Sequence, residues 1–193
     1  MWMCFLMIRI SFFEFVTAII IIWAAVRLIV FAKTKQFDIK YELKLLPVCI
    51  YLIVVARFVY FPYRLIDGHI GNLNFDASKI LPFNVNLVPI IHMVQWVPKW
   101  ARFNYFGNIF LFIPVGIIFP NCIKKLDSIK TNVLIGFIMS VIIELSQLLL
   151  FERFTDIDDV ITNTFGVLIG SCIYFFFLKK IIEKIKQKNK EKN

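Results

Sequence analysis

Residues 131–178, TNVLIGFIMSVIIELSQLLLFERFTDIDDVITNTFGVLIGSCIYFFFL, decide the fold of this chain. They contain two apolar runs, each about as long as a bilayer-spanning helix, joined by an acidic turn at residues 153–159. The first run carries Glu144 in its interior. A carboxylate at the centre of a membrane helix costs about 2.5–3.5 kcal/mol on insertion scales. The position of Glu144 therefore predicts a polar cluster between helices.

The composition extends this interpretation to the whole chain. Of its 193 residues, 60% are hydrophobic, and the mean hydropathy is +0.77, whereas soluble domains are about 45–50% apolar. Five apolar spans are predicted, at residues 11–32, 45–61, 106–120, 131–151 and 160–178. The third is short and contains Pro114 and Gly116, which favours a kinked or shallow helix. We therefore expect an all-α, multi-pass protein of the cell membrane with about five transmembrane helices.

The basic residues predict the orientation of these helices. The net charge is +9, but the lysines flank apolar spans instead of forming a patch that would bind nucleic acid. One side of the membrane receives fourteen lysines, at positions 33, 35, 40, 44, 124, 125, 130, 179, 180, 184, 186, 188, 190 and 192. The other side receives six basic residues, at positions 9, 64, 79, 99, 102 and 153. The positive-inside rule then predicts an external N-terminus and a cytoplasmic C-terminus.

Three segments follow from this topology. Residues 1–62 form two N-terminal helices, residues 63–178 form a core of one external loop and three helices, and residues 179–193 form a basic cytoplasmic tail. In the external loop, Asn86 to Ile90 is followed by Trp96 and Trp100, a pattern typical of a re-entrant or interfacial segment. The polar residues of the last two spans all fall near the external leaflet.

Helical spacing predicts that these polar residues line two facing stripes. One stripe of the fourth span holds Ser140, Glu144 and Gln147. One stripe of the fifth span holds Asp159, Asn163, Gly166 and Gly170, and its G-x-x-x-G spacing permits close helix packing. Packing of the fifth span against the fourth would bring Asp159 and Asn163 near Glu144 and Gln147. Asn108, at the start of the third span, is expected at the same depth.

The chemistry of this cluster has several interpretations. Asp156 and Asp158 suit the capping of a helix N-terminus, and Glu144 could serve a structural hydrogen bond or an ion pair with Arg153. Alternatively, Glu144 and Asp159 form an acid–base pair and are the candidate catalytic residues. A divalent cation held by carboxylate oxygens is a further alternative, whereas the scattered cysteines predict neither a zinc site nor a redox pair. The remaining candidate site residues are Asn86, Asn108, Ser140, Gln147, Arg153, Asp156, Asp158 and Asn163.

Four short blocks of the sequence resemble the VanZ-like family. They are Asn86-Leu-Val-Pro89, Gly107-Asn108-Ile-Phe-Leu-Phe112-Ile-Pro114-Val-Gly116, Ser140-x-x-x-Glu144-x-x-Gln147, and Arg153-x-x-Asp156-x-Asp158-Asp159-x-x-x-Asn163-Thr164-x-Gly166. They occur in the family's order over about residues 84–171, and the chain departs at Ile90, where the family often has an aromatic residue. The resemblance implies a bacterial membrane protein. The protein after which the family is named is associated with low-level resistance to teicoplanin-type glycopeptides.

Three functions are compatible with these observations. The first is an envelope protein that lowers glycopeptide susceptibility by engaging a membrane lipid, the antibiotic or a lipid-linked envelope precursor. The second is an intramembrane enzyme that uses Glu144 and Asp159 on a lipid-linked envelope molecule. The third is a structural or transporter-accessory subunit whose polar residues lock helices together. Whether the protein is an enzyme is left open at this point.

Overall fold

A computed structural model describes residues 7–61, 65–66, 68–76, 85–86, 99–148, 150 and 155–190. Within these residues the chain forms six helices, α1 (Phe12–Thr34), α2 (Ile39–Tyr60), α3 (Lys99–Cys122), α4 (Ile129–Gln147), α5 (Ile157–Ile173) and α6 (Lys179–Lys190). A π-helical turn, Tyr174–Leu178, joins α5 to α6. Six short strands complete the described elements, namely β1 (Met7–Ile10), β2 (Leu65–Ile66), β3 (His69–Ile70), β4 (Leu73–Asp76), β5 (Val85–Asn86) and β6 (Thr155–Asp156).

Five stretches of helix are long and apolar enough to cross a membrane. They are Phe12–Thr34, Ile39–Tyr60, Asn104–Cys122, Ile129–Gln147 and Ile157–Lys188. The predicted class, an all-α membrane protein with five spans, is therefore confirmed, while the predicted orientation stays a prediction. The chain divides into two compact units, one of residues 1–85 with 145–155 and one of residues 86–144 with 156–193. The division at residues 62 and 178 into three functional segments also stays a prediction.

The first unit is built on the hairpin of α1 and α2. α1 begins with a capping box in which Ser11 Oγ accepts from the Glu14 backbone N–H while Glu14 Oε2 accepts from the Ser11 N–H. It ends at Lys35, whose left-handed backbone (φ 53°) turns the chain towards α2. Asp38 then caps α2 by accepting a hydrogen bond from the Lys40 N–H. No residue of α1 is buried within the protein, which is the pattern of a helix surrounded by lipid.

Aromatic residues and short strands close one end of this unit. Phe12 and Phe15 pack edge-on against the fully buried Phe61, with ring centroids 5.2 and 5.5 Å apart. β1 pairs antiparallel with β4, and β2 pairs antiparallel with β3. The sequence pattern did not predict these strands, because each is only two to four residues long. Most of the predicted re-entrant segment lies outside the described residues.

The second unit contains α3, α4 up to Glu144, α5 and α6. We call α3, α4 and α5 together the three-helix unit. α3 and α5 approach closely because glycines replace side chains at their contact: a Cβ atom at Gly166 or Gly170 would overlap the carbonyl oxygen of Ile109 or Ile113. α4 reaches α5 at Gly136, where a Cβ would lie 2.6 Å from a methyl group of Val167. The glycine stripe predicted to face the fourth helix therefore packs mainly against the third.

The third helix extends beyond the span that was predicted for it. It was expected to be short, at residues 106–120, but α3 is a helix of 24 residues. Pro114 and Pro120 both lie inside it. Proline removes one backbone donor but leaves the rest of the helix ladder available, and in a membrane the neighbouring helices help to hold such a segment. The helix is longer than its apolar run because it begins at Lys99, seven residues before that run, whereas the predicted kinked or shallow placement stays a prediction.

Candidate functional site

The candidate site lies at the end of the three-helix unit where α3 and α5 begin and α4 approaches its last residue. Glu144 of α4 is 3% exposed and Asp158 of α5 is fully buried. Both carboxylates thus occupy the protein interior, where an acidic group without compensating interactions would be costly. Their burial places two acidic side chains in the interior at this end of the unit.

A series of hydrogen bonds connects these residues across three helices. Glu144 Oε2 accepts from the backbone N–H of Asp156 at 3.1 Å, and Asp156 Oδ1 accepts from the N–H of Asp158 at 3.0 Å. The hydroxyl of Tyr105 on α3 donates to Asp158 Oδ2 at 3.5 Å, the long limit for such a bond. Glu144 and Asp156 therefore both bind backbone donors at the N-terminus of α5, where the helix dipole favours negative charge.

The capping interpretation is confirmed for Asp156, which is the N-cap residue of α5. Asp158, in contrast, lies on the buried face of α5 together with Thr162, Asn163 and Gly166. Asp159 is half-buried beside this face, and its carbonyl accepts from the Thr162 hydroxyl. The deepest carboxylate of α5 is therefore Asp158, one position before the candidate chosen from the sequence. A catalytic role for Glu144 and Asp159 stays a prediction.

About one helical turn from the carboxylates, a buried pair of polar side chains joins α4 to α5. The two residues belong to the two stripes that were predicted to face each other. Asn163 Nδ2 donates to Ser140 Oγ at 2.9 Å, with both side chains at least 97% buried. Within the described part of the chain, Asn163 Oδ1 receives no hydrogen bond. A buried acceptor of this kind can receive a hydrogen bond from a water molecule or a ligand.

A second buried polar pair lies further along the same two helices. Asn132 Nδ2 donates to Ser171 Oγ at 2.8 Å and to the carbonyl of Gly116 at 3.0 Å. Asn132 continues the stripe of Glu144 and Ser140 at four-residue intervals, so extending that stripe by two turns would have predicted it. Tyr105 had no comparable signal in the sequence, because its contact with Asp158 depends on how α3 packs.

The other predicted site residues do not all join this cluster. Gln147 belongs to the first unit, where its Nε2 donates to the carbonyl of Val59 at 3.2 Å. Asn108 is half-buried on α3, one turn after Tyr105. Asn86 ends β5 and is described only in its backbone, and Arg153 lies outside the described residues.

The structure also bears on the divalent-cation alternative. Among the described residues, no three His, Cys, Asp or Glu side chains come together as a group that could hold a metal ion. Hydrogen bonds to backbone N–H groups occupy oxygens of Glu144 and Asp156. The described carboxylates are thus arranged as hydrogen-bond acceptors around the start of α5.

Comparison with known proteins places this arrangement in a family. A model of the VanZ/LLP1 family matches residues 48–178, which include α2 from Val48 onward, α3, α4, α5 and the whole candidate site. No curated protein and no solved structure matches the chain. The family match covers about two thirds of the sequence and agrees with the four blocks that resemble VanZ-like proteins. The chain belongs to the VanZ/LLP1 family of membrane proteins.

Proposed function

We propose that this protein lowers the susceptibility of a bacterial cell to teicoplanin-type glycopeptides. In this proposal the polar end of the three-helix unit binds the polar part of a membrane-anchored molecule at the external leaflet. That molecule is the lipid-bearing antibiotic itself or the lipid-linked envelope precursor that the antibiotic recognises. The observation that carries the proposal is the burial of Glu144 and Asp158 at this end.

The chemistry of the site fits such a ligand. Asn163 Oδ1 is a buried acceptor that receives no hydrogen bond within the described residues, and the nearby carboxylates add negative charge. The site therefore suits a ligand that presents N–H, O–H or ammonium groups. Peptide and sugar groups of a glycopeptide, or of a cell-wall precursor, supply these donors. A polar site at one end of apolar, membrane-spanning helices suits an amphiphile, because its lipid part can stay in the bilayer while its polar part meets the site.

Burial of both carboxylates also supports a second candidate, an intramembrane enzyme that acts on a lipid-linked envelope molecule. Carboxyl groups are among the side chains that general acid–base catalysis uses to move protons to and from a substrate. Glu144 lies on α4 and Asp158 on α5, and in this candidate one acts as the base and the other as the acid. This candidate predicts a chemically changed lipid, whereas binding alone leaves the lipids unaltered.

Expression of the protein in a glycopeptide-sensitive Gram-positive host tests the proposal. We expect the inhibitory concentration of teicoplanin to rise, and that of a glycopeptide without an acyl chain to change less. A matched empty vector controls for the burden of membrane-protein expression. An unchanged teicoplanin concentration with the protein present in the membrane would refute the resistance function. Mass spectrometry of the extracted envelope lipids then distinguishes binding from catalysis.

A further inference from the structure

We propose that the α1–α2 hairpin carries a binding site for an anionic membrane phospholipid. One acyl chain lies in the groove between the two helices, and the phosphate binds the guanidinium of Arg27. The proposal rests on the first unit alone and is independent of the function proposed for the three-helix unit.

The groove has the size and lining that an acyl chain requires. Its volume is about 400 Å³, and it is lined by Ala24, Arg27, Leu28, Phe31, Phe37 and Glu42. Four of these six residues are apolar, and Leu28, Phe31 and Phe37 are 65%, 44% and 66% exposed. Ala24 has a small side chain, which leaves room in the groove. The rings of Phe31 and Phe37, with centroids 6.1 Å apart, pack against each other where the chain turns from α1 to α2.

Arg27 and Glu42 supply the polar lining of this groove. Its Nε and Nη2 atoms donate to the two carboxylate oxygens of Glu42 at 2.8 and 2.5 Å, a bidentate ion pair. A guanidinium has five N–H groups, so three remain after this pair forms. No described residue accepts them, and the same guanidinium lies 5.7 Å from the centre of the Tyr41 ring.

Arg27 lies deep enough in the span that its three remaining N–H groups need a hydrogen-bond acceptor. It lies seven residues before the end of α1 at Thr34, about 10 Å along the helix axis. At that depth a charged group that faces hydrocarbon is costly, and it is stabilised by reaching headgroups or by drawing them inward. Phosphate oxygens match the fork of an arginine and can accept more than one of its N–H groups.

The charges around the groove select an anionic headgroup over a neutral one. The hairpin segment from Arg27 to Lys44 contains five basic and two acidic residues, a net charge of +3. The lysines at positions 33, 35 and 40 lie close in sequence to Phe31 and Phe37 and are exposed. Each basic residue near a membrane surface favours an anionic lipid about fivefold. A zwitterionic phospholipid would fill the groove equally well but would gain less from these charges.

Lipid retention by the purified full-length protein tests this site. The protein is mixed in detergent micelles with equal amounts of phosphatidylglycerol and phosphatidylcholine of identical acyl chains, and retained lipids are counted by native mass spectrometry. We expect wild type to prefer phosphatidylglycerol by at least about fivefold. The double variant R27Q/E42Q keeps the net charge and all the lysines, so we expect its preference for phosphatidylglycerol to fall about fivefold relative to wild type, which is the contribution of Arg27.

Two further variants make the test specific. K125Q/D127N removes an exposed pair of opposite charges in the α3–α4 connection and should keep the preference of wild type. Ala24→Phe fills the groove and should lower the retention of both lipids, with helix content by circular dichroism unchanged. An equal preference in wild type and R27Q/E42Q, or unchanged retention in Ala24→Phe, would overturn the proposal. If R27Q/E42Q does not survive purification, the lipid retention of Ala24→Phe alone decides whether the groove holds a lipid.

Discussion

Replacement of Gly170 by alanine should weaken the packing on which the candidate site depends. A Cβ at this position would overlap the carbonyl oxygen of Ile113 and lie 2.9 Å from its carbonyl carbon and 3.0 Å from Gly116 Cα. These are backbone atoms, so no side-chain rotation can relieve the contact. α3 and α5 must therefore move apart, which also separates Tyr105 from Asp158.

The expected loss of stability follows from two opposing effects. Overpacking of a well-packed interior costs about 1–3 kcal/mol, whereas replacing a helical glycine by alanine stabilises by about 0.5–1 kcal/mol. The net expectation is a destabilisation of about 1–2 kcal/mol. For a chain of this length, that corresponds to a fall of about 2–8 °C in the unfolding midpoint.

Thermal unfolding in detergent, followed by circular dichroism, measures this difference. Gly107→Ala is the matched control, because Gly107 also lies in a helix but a Cβ there would meet no atom within 4 Å. The control should keep or slightly raise the midpoint. Equal midpoints for Gly170→Ala and Gly107→Ala would refute the close packing of α3 against α5.

Three further predictions concern stability and topology. Asn132→Ala removes two buried hydrogen bonds and should lower the free energy of unfolding by about 1–2 kcal/mol; an unchanged value would show that these bonds contribute nothing. Asp156→Ala removes the N-cap of α5 and should cost about 1 kcal/mol, while Asp156→Asn should recover most of it, so equal losses in both would contradict the capping role. In a variant without native cysteines, Ser78→Cys should react with an impermeant thiol reagent in intact cells and Ser128→Cys only after permeabilisation, and the reverse pattern would invert the orientation.

The membrane helices could be predicted from the sequence because their signal is local. Long apolar runs identified all five spans. Helical spacing placed Ser140 and Asn163 on facing stripes, and the two side chains are hydrogen-bonded, although Asn163 was expected near Glu144 and Gln147. The helix ends were less predictable. α2 begins at Ile39, well before its apolar run, because a cap at Asp38 and surface-exposed polar residues can extend a helix beyond the hydrocarbon.

The contacts that could not be predicted from the sequence depend on tertiary packing. The stripe of glycines on α5 predicted a close contact, but the partner proved to be α3, since Gly116 provides the complementary space there. Asp158 and Asp159 are adjacent acids with similar local signals, and only the rotation of α5 in the unit buries the first of them. Gln147 shares a helical face with Glu144, yet the two side chains bind partners in different units.

The central claim is that the buried carboxylates at the end of the three-helix unit are required for function. Its most direct test is the inhibitory concentration of teicoplanin for cells that express Glu144→Gln or Asp158→Asn, two changes that remove charge but preserve size. Asp127→Asn, an exposed acid between α3 and α4, is the control. We predict that both site variants reach wild-type levels in the membrane but lose the added tolerance, while the control keeps it. Full tolerance in both site variants would contradict the claim.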